Sequence, residues 1–269
     1  MNRLSWFLGL AVVGLLMAVG LSALPPSLRG ADSSSASVTI TVSAASDLKD
    51  VFPQIGQLWE QETGHQVVFN FGSTGQLAQQ IARGAPVDLF AAANRQFVEE
   101  LDEKGLVFSE TKALYGVGRL TLWQREDSPV EVHTLEDLLK PEVTRVAIAN
   151  PNHAPYGTAA REALITAGLW QELQPKLILG ENISQTQQYA MTGNVDVAIA
   201  ALSISVEKPG RWVTLAAQLH NPLEQMLAVP QNAPHPELGK QFAAFVNGDQ
   251  GRPLMERYGF VLPDDVSTR

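Results

Sequence analysis

The sequence predicts an α/β protein of two lobes, in which each lobe is a mainly parallel sheet flanked by helices. Short β-rich runs alternate with amphipathic helical stretches beyond residue 38, and this is the strand, loop, helix order of parallel sheets. Two segments look like crossings between lobes. About 230 residues follow the N-terminal leader, which is enough chain for two modest hydrophobic cores.

Residues 1–37 are predicted to be a signal peptide and linker. Arg3 precedes an apolar run from Leu4 to Leu21, and a stretch rich in Ser, Pro and Ala follows. This is the order of a secretory signal. A retained membrane anchor is the alternative, because the run is close to the ~20 residues that a bilayer requires. Either interpretation places residues 38–269 in the periplasm, free or tethered by an uncleaved leader.

The predicted strands follow the β-rich runs, which lie at 38–43, 67–71, 87–93, 145–150, 176–180 and 196–202. The first helix is predicted at about 47–61, because apolar residues recur there with the spacing of a helix that faces a sheet. Gly64 is expected to end this helix as a C-terminal cap. Later helices are predicted from about Tyr156, from about Ser184, and at about 235–247 and 249–258.

Two segments predict that the chain crosses between lobes. The run 113–124 is longer than a typical strand and contains two glycines, and Leu223 to Val229 is the second crossing. A chain that crosses twice makes its first lobe discontinuous. Lobe 1 is therefore predicted to comprise 38–117 and 224–269, and lobe 2 to comprise 118–223.

The composition restricts the partners. The formal net charge is −9, which argues against nucleic acid and against an anionic membrane surface. The chain has no cysteine, which removes disulfides, thiolate metal sites and the thiol of lipoproteins. A monomer without a cofactor is expected. A small anion remains a suitable ligand if its site uses oriented dipoles.

Two loops of lobe 1 place a hydroxyl at a predicted helix start. One runs from Ser43 to Leu48 and the other from Gly72 to Leu77. Ordinary N-capping explains either serine by itself. Two such loops after neighbouring parallel strands would instead direct unpaired N–H groups and partial positive charge at one place, where an anion binds without a lysine. Gly72 and Gly75 would let the backbone approach that anion closely.

Lobe 2 is predicted to supply the other half of the anion site. Residues 150–159 lead into one helix and residues 181–184 into another, so the donors here would be mainly backbone amides. A rigid turn with ordinary caps at Asn182 or Ser184 is the alternative. The lone His153 is interpreted as structural.

These segments together resemble a known family. The SAASDL loop, the run GSTGQLAQQIARGAPVDLFAAA (72–93), NPNHAPYGTAAREAL (150–164) and the closing GRPLMERYGFVLP (251–263) look like the periplasmic molybdate-binding proteins of ABC-type importers. The likeness spans essentially all of 38–263. It implies a two-lobed periplasmic binding protein fold of the class II type, with molybdate or tungstate bound between the lobes and delivered to a membrane permease.

The resemblance also implies site residues. Ser46 and Ser73 would give hydroxyl and amide donors from lobe 1, and Tyr156 and Ile183 would give backbone amides from lobe 2. Molybdenum would enter only as the oxyanion, with no protein ligand to the metal. Asp88 would be structural or related to the hinge. The secondary candidates are Ala45, Thr74, Ser184 and Ala201.

One position departs from the family pattern. Some members place a tyrosine hydroxyl on the anion after the strand matched by 196–202, and this chain has Ala201 there. The Tyr156 phenol could replace that donor by turning inward, or the site could have one hydrogen bond fewer. The choice among oxyanions therefore stays open.

Three alternatives remain. The protein could bind another oxyanion such as sulfate, separated from molybdate by pocket diameter. A cation site would require clustered carboxylates or histidines, and the loops offer little beyond Asp47, His153 and Glu181. A hydrolase with Ser73 as nucleophile is disfavoured, because no G-x-S-x-G motif surrounds it and no motif links a histidine to it.

Overall fold

The computed structural model describes residues 36–263. The predicted signal peptide lies outside the described residues, apart from its last two positions. The strands are β1 (Thr39–Ala45), β2 (Gln66–Gly72), β3 (Leu89–Ala92), β4 (Ala113–Gly118), β5 (Leu120–Gln124), β6 (Val146–Ala149), β7 (Leu177–Gly180), β8 (Val197–Ala201), β9 (Arg211–Thr214) and β10 (Leu223–Ala228). Within 36–263 no helix is long and apolar enough to span a membrane.

The helices flank these strands. They are α1 (Phe52–Thr63), α2 (Thr74–Ala82), α3 (Arg95–Glu103), α4 (Pro155–Thr166), α5 (Trp170–Leu173), α6 (Ile183–Met191), α7 (Leu202–Ser205), α8 (Pro236–Val246) and α9 (Gly251–Arg257). Short 3-10 helices lie at Ser46–Leu48, Ser109–Thr111, Glu136–Leu139, Gln174–Lys176 and Ala217–Leu219.

The strands form two sheets of five, which confirms the predicted fold class. The orders are β2-β1-β3-β10-β4 and β7-β6-β8-β5-β9. In each sheet the fourth strand of that order, β10 or β5, runs antiparallel to its neighbours and the others run parallel. We define lobe 1 by the first sheet and lobe 2 by the second. The two lobes thus share one strand arrangement.

The chain passes between the sheets at two places. A single residue, Arg119, separates β4 from β5, and the return runs from the end of β9 to Leu223. Helix α8 then packs on α1 and β3, and Val261 pairs with Val117, so the C-terminal segment belongs with lobe 1. The residue-level boundaries predicted at 117/118 and 223/224 stay predictions.

The first helix differs from its prediction. It begins at Phe52, not at about residue 47, and a 3-10 helix over Ser46–Leu48 precedes it. Leu48 and Val51 are fully buried, so the apolar pattern is real but continues across a break in the helix. Pro53 lies in the first turn, where its missing N–H has no intrahelical acceptor to lose. Gly64 ends the helix with φ of 73°, as expected.

Asp88 holds lobe 1 together, in agreement with its expected structural role. Its Oδ2 accepts from the Thr41 amide at 2.7 Å, its Oδ1 accepts from the His235 amide at 2.6 Å, and the residue is 2% exposed. The carboxylate therefore joins β1 to the start of α8.

Replacing that carboxylate should destabilise the protein without touching the anion site. Asp88→Ala leaves two amides without an acceptor, each at a cost of ~1–3 kcal/mol, so the free energy of unfolding should fall by about 2–6 kcal/mol. Thermal unfolding measures the change. The control is Asp127→Ala, whose carboxylate is exposed and pairs only with Arg125 at 3.0 Å. Equal melting temperatures for the two variants would contradict the role of Asp88.

Candidate functional site

Ser46 and Ser73 lie side by side at one edge of the first sheet. Strands β1 and β2 are parallel, and their register pairs Ala45 with Gly72. Each serine is the next residue after one of these paired positions. Both are buried, at 3% exposure. The structure therefore brings the two serines to the same edge of the sheet, where the carboxyl ends of the strands meet, the usual place for a ligand in open α/β sheets.

Neither hydroxyl caps its helix. Ser73 occupies the N-cap position of α2, but its side chain makes no capping bond, and Ser46 begins a 3-10 helix whose cap is Ala45. Ordinary N-capping, the simplest interpretation of these serines, is therefore wrong. The expectation that Ser46 marks the start of an α-helix is also wrong.

The opposite lobe presents two helix N-termini. Tyr156 is the second residue of α4 and Ile183 is the first residue of α6, so their amides have no intrahelical carbonyl to bind. The amide of Ser184 donates to Ser46 Oγ across the lobes at 3.4 Å. Asn182 is an ordinary cap, since its side chain accepts from the Gln185 amide at 3.0 Å.

His153 reaches Ser73 from lobe 2, which the sequence interpretation missed. Ser73 Oγ lies 2.6 Å from the His153 carbonyl oxygen and 2.8 Å from its Nδ1. The Gly75 amide donates to the same carbonyl at 2.9 Å. Both contacts of Oγ are satisfied if the hydroxyl donates to the carbonyl and Nδ1–H donates to the hydroxyl. His153 is thus a contact between the lobes at the site itself.

Gly75 permits this approach. A Cβ atom on Gly75 would lie 2.7 Å from the His153 carbonyl oxygen. A Cβ on Gly72 would instead meet Leu77 of its own lobe at 3.2 Å. Both glycines were expected to make room for an anion, and at Gly75 the backbone that comes close belongs to the other lobe.

A buried polar cluster joins the lobes beside Ser46. Asp47 Oδ2 accepts from the Tyr156 hydroxyl at 3.0 Å and from Gln225 Nε2 at 2.7 Å. The Tyr115 hydroxyl donates to Gln225 Oε1 at 2.7 Å, and Ser203 Oγ donates to the Asp47 carbonyl at 2.8 Å. We call these five residues the Asp47 cluster. The cluster therefore links Tyr156 and Ser203 of lobe 2 to Asp47, Tyr115 and Gln225 of lobe 1.

The Asp47 cluster occupies the hydrogen-bonding groups of the Tyr156 phenol. Its one hydroxyl proton is donated to Asp47, and its oxygen accepts from Gln225 at 3.1 Å. The suggestion that this phenol turns toward the anion in place of the family tyrosine is therefore wrong. Ala201, at the end of β8, also has no donor side chain, so neither residue supplies the missing hydroxyl.

The other secondary candidates lie close to the same edge. Ala45 is the last residue of β1 and is buried, and Ser184 contributes its amide as described above. Thr74 has a different task, because its Oγ1 accepts from the Ala93 amide at 3.1 Å within lobe 1. Among residues 36–263 no group of three or more histidine, aspartate or glutamate side chains is placed to hold a metal ion.

Known proteins are similar to this chain in both sequence and fold. The model of the family described as bacterial extracellular solute-binding protein matches residues 40–261. Molybdate-binding protein ModA of Rhodobacter capsulatus is 31% identical over 223 residues, covering 82% of this chain and 88% of that protein. The periplasmic molybdate-binding protein of Azotobacter vinelandii superposes with a TM-score of 0.78 at 26% identity, covering 83% of this chain and 99% of that one.

A sulfate-binding protein has the same fold. The sulfate-binding protein SubI of Mycobacterium tuberculosis superposes with a TM-score of 0.69 at 19% identity, covering 85% of this chain and 88% of that one. The resemblance drawn from the sequence is confirmed by the family match and the relatives together. The chain belongs to the family of bacterial extracellular solute-binding proteins and is related there to the periplasmic molybdate-binding proteins.

Proposed function

We propose that this protein captures molybdate or tungstate between its two lobes and delivers it to the permease of an ABC-type importer. One observation carries the proposal: the Ser46 and Ser73 hydroxyls of lobe 1 lie against the residues that begin or precede α4 and α6 of lobe 2. The proposed ligands are the hydroxyls of Ser46 and Ser73 and the amides of Tyr156 and Ile183. The amides of Ala45, Thr74, Ser184 and Ala201 are secondary donors.

Neutral donors can hold a dianion. An unpaired buried dianion costs many kcal/mol, and about six charge-assisted hydrogen bonds of ~1.5–3 kcal/mol each offset that cost. The dipoles of α4 and α6 add partial positive charge at their N-termini. The hydrogen-bond partners of Ser46 and Ser73 are an amide, a carbonyl and an imidazole, and no lysine or arginine is among them.

The division of donors between lobes makes binding a signal. An anion that contacts both lobes stabilises the closed form, and the importer recognises that form. Closure in this structure is supported by the Asp47 cluster and by Ser73 with His153. To bind an anion, the Ser73 hydroxyl exchanges the His153 carbonyl for an anion oxygen.

Anion preference can be measured directly. Competition titration with molybdate, tungstate and sulfate should show molybdate and tungstate displacing each other at similar concentrations, with sulfate weaker by roughly tenfold or more, the ratio that ~1.4 kcal/mol gives. The reason is that donors spaced for the larger anions reach a smaller one less well. Native mass spectrometry of the purified protein gives the anion that is retained. If sulfate binds more tightly than molybdate, sulfate becomes the proposed ligand.

The contact of Ser73 with His153 is the one observation that favours a hydrolase. Three facts weigh against catalysis. His153 Nε2 is 3.8 Å from Glu181 Oε2, too far for a hydrogen bond, and the Glu181 side chain is 63% exposed. The Ser73 hydroxyl is also close to a carbonyl that competes for its proton. Serine and histidine lie on different lobes, so opening of the cleft separates nucleophile from base.

The remaining proposed properties concern cofactor, oligomeric state, partners and location. The proposed site requires no cofactor, and the protein acts as a periplasmic monomer whose partners are the oxyanion and the permease, not nucleic acid. The N-terminal segment is proposed to be a cleaved signal, with a retained anchor as the alternative. Mass measurement of the mature protein from the periplasm separates these two forms.

A further inference from the structure

Asp47 is a buried carboxylate placed between two proposed anion ligands. It follows Ser46 in the chain, and its side chain binds the hydroxyl of Tyr156, whose amide is a proposed donor. The residue is fully buried, and the two side chains that donate to its carboxylate, Tyr156 and Gln225, both reach Oδ2. Its other oxygen, Oδ1, accepts no hydrogen bond from another described residue. An unpaired buried acceptor of this kind requires an explanation.

The carboxyl group is close to protonation near neutral pH. Burial raises the pKa of Asp47 to about 6, and hydrogen bonds from Gln225, from Tyr156 and from its own backbone partly oppose the rise. No lysine or arginine contributes to that shift. At pH 7 the group is therefore mostly ionised, and a nearby negative charge would raise its pKa further and favour the protonated form.

The surrounding groups leave few other places for a proton. Burial raises the pKa of Tyr156 and of Tyr115 well above 10, so both phenols stay protonated near neutral pH. Along its own segment, Asp47 is followed by Lys49 and Asp50, and Asp50 pairs with Lys208 of lobe 2 at 3.2 Å. From the loops before α4 and α6, His153 and Glu181 are the other titratable side chains at the site, with His153 Nε2 3.8 Å from Glu181 Oε2.

We propose that Asp47 takes up one proton from solvent when a doubly charged oxyanion binds beside it. The inference rests on the proposed function. A dianion next to a buried carboxylate is a like-charge pair, and this disfavours the ionised carboxylate. The proton binds Oδ1 and no bond of the anion changes. Oδ1 then carries the proton, while Oδ2 continues to accept from Tyr156 and Gln225.

Calorimetry with sodium molybdate counts the protons. Titrations at pH 7 in buffers of different ionisation enthalpy should show uptake of about one proton per anion bound, and affinity should fall roughly tenfold per pH unit between pH 7 and 8. Below pH 6 the dependence should flatten, because Asp47 is then already protonated in the free protein. Molybdate is a dianion throughout this range.

Three variants assign the proton. Asp47→Asn keeps an oxygen that accepts from Tyr156 and Gln225 but cannot titrate, so proton uptake should vanish and affinity should no longer depend on pH. His153→Gln removes the other titratable group in contact with Ser73, so its affinity should change, but the number of protons taken up per anion bound should stay at about one. Tyr156→Phe removes one hydrogen bond that lowers the pKa of Asp47, so the onset of the pH dependence should move to higher pH. This third variant tests the inference even if Asp47→Asn does not fold.

The outcomes separate the two proposals. Molybdate binding without proton uptake overturns the role of Asp47 and leaves the anion site standing. Uptake that persists in Asp47→Asn and disappears in His153→Gln assigns the proton to His153, which also overturns it. If neither molybdate nor tungstate gives any binding heat from pH 6 to 8, the proposed function itself is contradicted. The inference about Asp47 is then contradicted as well.

Discussion

Ser46→Ala combined with Ser73→Ala should abolish detectable molybdate binding while leaving the fold intact. A hydrogen bond to a charged group contributes ~1.5–3 kcal/mol. Losing both hydroxyls should therefore weaken affinity roughly 100-fold to 10,000-fold. Calorimetry measures the affinity, and circular dichroism with thermal unfolding checks the fold.

Ser43→Ala is the matched control for this experiment. Ser43 is also a buried serine of β1, but its Oγ has only a long contact with Asn70 Nδ2 at 3.5 Å, within lobe 1. Its loss should leave molybdate affinity unchanged. An unchanged affinity in the double variant would remove Ser46 and Ser73 from the site. An equal loss in Ser43→Ala would show that the effect is not specific to the sheet edge.

Gly75→Ala should weaken binding by preventing full closure. The new Cβ would lie 2.7 Å from the carbonyl oxygen of His153, which is backbone and cannot rotate away. The lobes must then separate slightly, and the loss of about one charge-assisted hydrogen bond to the anion, ~1.5–3 kcal/mol, weakens affinity roughly 10-fold to 100-fold. Stability should not fall, because alanine is a better helix former than glycine by ~1 kcal/mol. Calorimetry and thermal unfolding give the two quantities.

Gly72→Ala separates closure from simple crowding. It makes the same change in the same loop, but its Cβ meets only the Leu77 side chain of lobe 1, at 3.2 Å. Affinity should change little in this control. If both glycine variants lose affinity equally, contact between the lobes is not the cause.

Most of the fold was predictable because parallel strands covered on both faces are continuous apolar runs. The run 145–150 predicted β6 and the run 196–202 predicted β8, and each observed strand lies within its predicted range. The start of α1 was not predictable from periodicity. Leu48 and Val51 are buried whether their backbone is α-helical or not, so the apolar pattern continues through the 3-10 helix.

The candidate site was likewise predictable only in part. Local patterns located the two serines and the helix starts of lobe 2, because caps and turns are set by neighbouring residues. The contact of Ser73 with His153 joins positions 80 residues apart, and that of Asp47 with Tyr156 joins positions 109 apart. Such pairs depend on how the lobes pack. A single sequence carries no pattern for that packing, so Asp47 had no visible role before the structure.

The single residue between β4 and β5 has a mechanical consequence. With only Arg119 there and a second connection between Thr214 and Leu223, the lobes cannot slide past each other far, so we expect opening to be a swing about a pivot formed by these two connections. Strands β2 and β7 are the edges most distant from the pivot in the order of each sheet. A small rotation about this pivot therefore displaces these two edges the most. A receptor that contacts both edges would detect opening and closing from the largest displacement.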